Sequence, residues 1–98
     1  MNHPLTQFQS QINQFAQTNH ISYLGLFGSY ARNEQAKNSD IDLLVSFSKK
    51  ISLLDLVDTE NKLGNIFQKK VDLIPDGSIN KHVKPYIEQD IITIYGKR

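Results

Sequence analysis

Two aspartates separated by one isoleucine, Asp40-Ile41-Asp42, open an apolar run that continues to Phe47. This pattern restricts the fold more than any other stretch of the chain. Strand residues alternate faces, so Asp40, Asp42, Leu44 and Ser46 share one side while Ile41, Leu43, Val45 and Phe47 share the other. The second side is apolar throughout and must lie under helices, which requires a sheet covered on that face. The first side carries two carboxylates at one end, a placement that predicts a site at the sheet's edge. Two carboxylates facing one space repel each other unless a cation stands between them, so the pair reads as a metal site.

An earlier apolar run, Ile21 to Phe27, ends at Gly28-Ser29, and ten residues separate that dipeptide from Asp40. A strand that ends in Gly-Ser and turns into a helix presents backbone N–H groups and a hydroxyl where a phosphate is favoured. Mg²⁺ usually completes its shell with substrate phosphates and water. Phosphate turn and carboxylate pair together point to a nucleoside triphosphate with magnesium. Arg32, three residues beyond Ser29 and on nearly the same helical face, can reach triphosphate oxygens or pair with an acidic neighbour such as Glu34 or a motif aspartate.

Gly28-Ser29, the ten-residue interval, Asp40-Ile41-Asp42 and the following Leu43-Leu44-Val45 resemble the signature of the DNA polymerase β-like nucleotidyltransferase superfamily. Within it, the short chain resembles the minimal nucleotidyltransferase (MNT) antitoxins of HEPN–MNT toxin–antitoxin pairs. The likeness is tightest over Leu26 to Phe47. It implies a polymerase β palm-like fold and an AMP transfer from ATP to a tyrosine of the HEPN ribonuclease toxin. It also implies a third carboxylate, in the position taken here by Asp72 within Val71-Asp72-Leu73-Ile74. The residues alone leave Asp72 either facing water at an edge or joining the metal site, since a charge in an apolar strand is seldom buried without a partner.

Ninety-eight residues are expected to form one minimal nucleotidyltransferase domain over 1–98, with no room for a second substrate-binding domain. Eleven basic and ten acidic side chains give a net charge of +1, which provides no electrostatic reason to expect direct nucleic-acid binding. Without cysteine neither disulfides nor thiolate metal sites arise. Short apolar runs and the polar Met1-Asn2-His3-Pro4 argue against a membrane span or signal peptide, so a cytoplasmic location is expected.

Leu5, Phe8, Ile12 and Phe15 recur at helical spacing and predict a helix from about Pro4 to Thr18, followed by a strand over Ile21–Phe27. A short helix is expected from Tyr30 to about Gln35, then a polar loop at Ala36–Ser39 and a strand over Asp40–Phe47. Ser52 and Asp55 form a capping pattern for a helix carrying Leu53, Leu56, Val57, Leu63, Ile66 and Phe67. Val71–Ile74 reads as a strand stopped by Pro75-Asp76-Gly77. A helix from Ser78, bent at Pro85, and a short edge strand at Ile91–Tyr95 complete the chain. His3, His20 and His82 lack ligand spacing and are read as surface residues. The fold class is therefore α/β (α+β), helices packed on a small mixed sheet.

In this arrangement Asp40 and Asp42 would hold two Mg²⁺ ions, with Asp72 completing the acceptor side and serving as general base. Gly28, Ser29 and Arg32 would hold the β- and γ-phosphates. Two other functions suit the same chain: a binding-only antitoxin that blocks its toxin sterically, and the catalytic subunit of a small-molecule nucleotidyltransferase.

Overall fold

The computed structural model describes residues 3–98; Met1 and Asn2, part of the polar N-terminus noted above, lie outside the described residues. The N-terminal helix begins with a 3₁₀ turn at Thr6–Phe8 and continues as α1, Gln9–Thr18. It is followed by β1 (Ile21–Phe27), β2 (Ile41–Phe47), α2 (Leu53–Phe67), β3 (Val71–Pro75), α3 (Lys84–Asp90) and β4 (Ile92–Gly96). Ser52 caps α2 as its sequence predicts, its hydroxyl accepting the Asp55 N–H at 3.1 Å.

The four strands lie in the order β3-β2-β1-β4. β1 runs antiparallel to both β2 and β4, while β2 and β3 are parallel. A parallel pair needs a crossover, and α2 supplies it. One face of the sheet packs on α1 and α2. There Ile12, Ala16, Leu63 and Phe67 from the helices meet Leu24, Leu26, Ile41, Leu43, Val45, Val71, Leu73 and Ile94 from the strands, all buried. Each of these side chains other than Ala16 contributes roughly 1.5–3 kcal/mol by leaving water. An edge-to-face pair of Phe8 and Phe67, with centroids 5.3 Å apart, joins the start of the N-terminal helical segment to the end of α2.

Tyr23, Leu44 and Ile87 are also buried but stand outside that cluster. Strand alternation puts Tyr23 and Leu44 on the other face, the one that carries Asp42. α3 rests there through Ile87, against β1.

Three expectations are corrected. The helix proposed for Tyr30–Gln35 is a single turn. Arg32 N–H reaches Gly28 O at 3.1 Å, and then Asn33 takes the left-handed conformation at φ +58°. Glu34 N–H bonds back to Ser29 O and Asn33 N–H to Tyr30 O, the double bond pattern that closes a helix C-terminus. Asparagine tolerates this conformation, so Asn33 stops the helix after one turn.

The helix expected from Ser78 shrinks to Lys84–Asp90, with a 3₁₀ turn at Asp76–Ser78. Pro85 lies in its first turn and does not bend it, because proline has no N–H to give an earlier carbonyl and suits only a helix start. Upstream, Asn80 folds a local turn, its side chain accepting the His82 N–H at 2.8 Å.

The carboxylates do not mark a sheet edge either, because β2 is flanked by β3 and β1. The charges are tolerated because they sit where β2 begins, one step from the loop, so solvent reaches them along the strand end. Regular pairing starts at Ile41, leaving Asp40 just outside the strand.

Candidate active site

β1 ends at Phe27 and the chain turns at Gly28, whose φ of +77° is open to glycine at little cost. A Cβ at this position would overlap Asp42 Oδ2. Glycine is therefore required twice over, for the turn and for the carboxylate packed against it. The cause is register: Asp42 pairs directly with Phe27, the residue before the turn. The Gly28-Ser29 turn and the second motif aspartate, fourteen positions apart in sequence, are neighbours in space.

On its other side Asp42 pairs with Asp72 of β3. Residues matched across a parallel ladder project to the same face, so the two carboxylates stand side by side. β3 is an edge strand, which lets Asp72 reach solvent while it stands on the face that carries Asp42. Asp42 is held above the usual carboxylate range. Burial is the largest cause, followed by the charge of Asp72, the charge of Asp40 and hydrogen bonding with Asp72, with the positive charge of Arg32 opposing them.

Asp40 is the least engaged of the three. Its Oδ2 lies 3.8 Å from Lys70 Nζ on an exposed surface. Among the described residues no group of three or more histidine, aspartate or glutamate side chains closes into a metal cage. A hard cation that keeps its waters and uses one or two carboxylates plus substrate oxygens does not need one. The side-by-side pair of Asp42 and Asp72, with Asp40 close enough to raise Asp42 further, is a donor set of that kind.

Arg32 takes the second of the two roles that the sequence allowed. Its Nε donates to Glu34 Oε1 and its Nη1 to Asp90 Oδ2, both at 2.7 Å. Asp90, the last residue of α3, was not among the residues singled out from sequence. Its one signal is an acidic side chain at a helix C-terminus, where the helix dipole disfavours it. Lys70 was missed as well, because a lysine next to a strand ordinarily marks only a solvated loop. A cleft of about 420 Å³ lined by Glu60, Lys69, Lys70 and Val71 borders the site and includes none of the three aspartates. The three carboxylates are each half-buried at the strand ends.

A mixed sheet with two helices on one face and α3 on the other, a Gly-Ser turn at the end of one strand and three carboxylates beside it define a nucleotidyltransferase-type site. The chain matches the family described as "Polymerase beta, Nucleotidyltransferase" over residues 10–98, and it belongs to that family. It is 49% identical over 75 residues to the Methanocaldococcus jannaschii protein MJ0126, whose name provisionally assigns it as a protein adenylyltransferase; the match covers 76% of each chain. Its fold is that of a chain in a toxin–antitoxin crystal structure with AMP-PNP, at a TM-score of 0.78 and 23% identity over 92% of this chain and 74% of that one. It is likewise that of a chain in the complex of a tri-AMPylated Shewanella oneidensis HEPN toxin with its MNT antitoxin, at a TM-score of 0.72, 19% identity, and 94% and 72% coverage.

Proposed function

We propose that this protein is a Mg²⁺-dependent adenylyltransferase that moves AMP from ATP to a tyrosine hydroxyl of a HEPN-type ribonuclease toxin, and so acts as its antitoxin. The observation that carries this reading is the direct register of Asp42 with Asp72, beneath a glycine turn that contacts Asp42. The names of the relatives and structural neighbours agree with it.

Gly28 and Ser29 offer the triphosphate their N–H groups and the Ser29 hydroxyl, fixing the β- and γ-phosphates by geometry and charge. Arg32 adds positive potential from its anchored position. Asp40, Asp42 and Asp72 would hold two Mg²⁺ ions, which supply charge neutralisation at the entering and leaving oxygens of in-line displacement. Asp72, half-buried on the edge strand, takes the proton of the incoming tyrosine hydroxyl. The tyrosine oxygen bonds to the α-phosphorus, the bond from that phosphorus to the bridging oxygen breaks, and pyrophosphate leaves. A tyrosine of pKa about 10 holds little nucleophile at neutral pH, so this base is needed.

A half-exposed site at the strand ends suits an acceptor carried on another protein, which brings its own surface to complete the enclosure. With ATP as donor, this reading includes a cytoplasmic location. The decisive test is Asp72→Asn, an isosteric change that keeps the strand packing. The variant should bind ATP and its partner but add no AMP mass to the co-expressed toxin by intact-mass spectrometry. Cells that stay protected while the toxin remains unmodified would show that occlusion suffices and that adenylyl transfer is not how the protein neutralises its partner.

A further inference from the structure

The loop between β1 and β2 carries the Gly28-Ser29 turn on a short, mostly exposed segment. Its own closure is local, through the Arg32 N–H to Gly28 O and Glu34 N–H to Ser29 O bonds. Tyr30 seats it in the hydrophobic core, and three polar side-chain contacts tie it to distant parts of the chain: Lys69 Nζ to Lys37 O at 3.0 Å, near the far end of the loop, Arg32 to Asp90 next to the turn, and Lys70 Nζ to Asp40 Oδ2 at 3.8 Å where the loop meets β2. The second spans 58 residues of sequence. Glu34 belongs to the same loop and is 65% exposed, whereas the Asp90 side chain is 21% exposed. Asp90 is therefore the anchor that holds the Arg32 side chain from outside the loop.

That anchor stands on a fixed backbone. The next residue, Ile91, lies over Gly25 so closely that a Cβ there would be 2.6 Å from Ile91 Cδ1. The residue after that, Ile92, is paired with Leu26 in the sheet. Asp90 ends α3 with a charge opposed to the helix dipole and with no basic residue in the last turn. The Arg32 contact compensates it. Arginine has five N–H donors in a rigid fork; two go to Glu34 and Asp90, and the others remain for an anion.

We propose that Asp90 is a positioning residue for nucleotide binding, acting through Arg32: it fixes the guanidinium and the turn it belongs to, so that the phosphate-holding loop is ordered before ATP arrives. This rests on the adenylyl-transfer reading above. An exposed ion pair contributes little to global stability, so affinity and loop order should move while the fold does not.

The test is calorimetric binding of ATP with Mg²⁺ to the full chain, alongside amide hydrogen exchange at Arg32 and Glu34. Asp90→Asn should weaken ATP binding about tenfold and speed exchange at both amides, with Tm lowered by no more than about 8 °C. Asp90→Glu should recover most of both readouts. In an Arg32→Ala background Asp90→Asn should weaken ATP binding no further. Wild-type binding with an Asp90→Asn variant that matches it in affinity and exchange overturns the Asp90 role alone, and so does an additive loss in the double variant. A wild-type chain that does not bind ATP with Mg²⁺ overturns adenylyl transfer and this role together.

Discussion

Replacing Gly28 by alanine separates the fold from the site. At φ +77° an L-residue costs about 1–2 kcal/mol, and for a domain near 100 residues each kcal/mol lowers Tm by about 4–8 °C. The added Cβ would also overlap Asp42 Oδ2, the far end of a side chain that can rotate away. Relief by rotation costs about 0.5–1.5 kcal/mol more, so the protein should still fold, with Tm lower by roughly 6–28 °C. The carboxylate, however, leaves its place beside Asp72, and a displacement of about 1 Å is enough to lose on the order of 100-fold in rate. Gly28→Asn sharpens the test, because asparagine tolerates the left-handed region but still brings a Cβ. It should recover part of the Tm without recovering AMP transfer. In an Asp42→Ala background the overlap is gone, and Gly28→Ala should cost only the backbone term, a coupling measurable by thermal unfolding. Wild-type transfer by Gly28→Asn, or equal Tm losses in both backgrounds, would refute the assignment of Gly28 as the seat of Asp42.

Asp42 binds its proton more tightly in the folded protein than an ordinary aspartate of pKa 3.8 does. Its contribution to stability is therefore fully present below about that pH and is lost as pH rises through the folded value. Asp42→Asn should be more stable than wild type at neutral pH in metal-free buffer, the gap closing on acidification, and should transfer no AMP; melting curves from pH 3 to 7 check it, and a constant gap rejects the like-charge explanation. Ser29→Ala removes a hydroxyl contact to a charged oxygen worth roughly 1.5–3 kcal/mol, so steady-state assays varying ATP should show a loss on the order of 10- to 100-fold. Unchanged kinetic constants would make Gly28-Ser29 a structural turn only.

Much of the site was legible because its signals are local. Strand alternation alone puts Asp42 opposite the apolar face of Leu43 and Val45, and a Gly-Ser pair after an apolar run needs no distant partner to read as a turn. The capping pattern of Ser52 and the stop at Pro75-Asp76-Gly77 are short-range in the same way, and each has its counterpart in the structure. The periodic pattern failed where one residue outweighed it: Asn33 closed a helix after a single turn, and Pro85 sits in the first turn of one that the apolar spacing began six residues too early, at Ser78 against Lys84.

Pairings between strands and between distant side chains were decided only by tertiary structure. Nothing in the order of residues says that β2 is interior, yet that position gives Asp42 a neighbour on each side, Phe27 and Asp72. A shift of one residue in the parallel ladder would have turned Asp72 to the opposite face, so the carboxylate pair exists by virtue of a register set by the packing of α2 and the buried strand face. The union of Arg32 with Asp90 is of the same kind. Local chemistry fixes which residues can hold a phosphate or a cation; the free energy of burying one sheet face under two helices selects which of them meet.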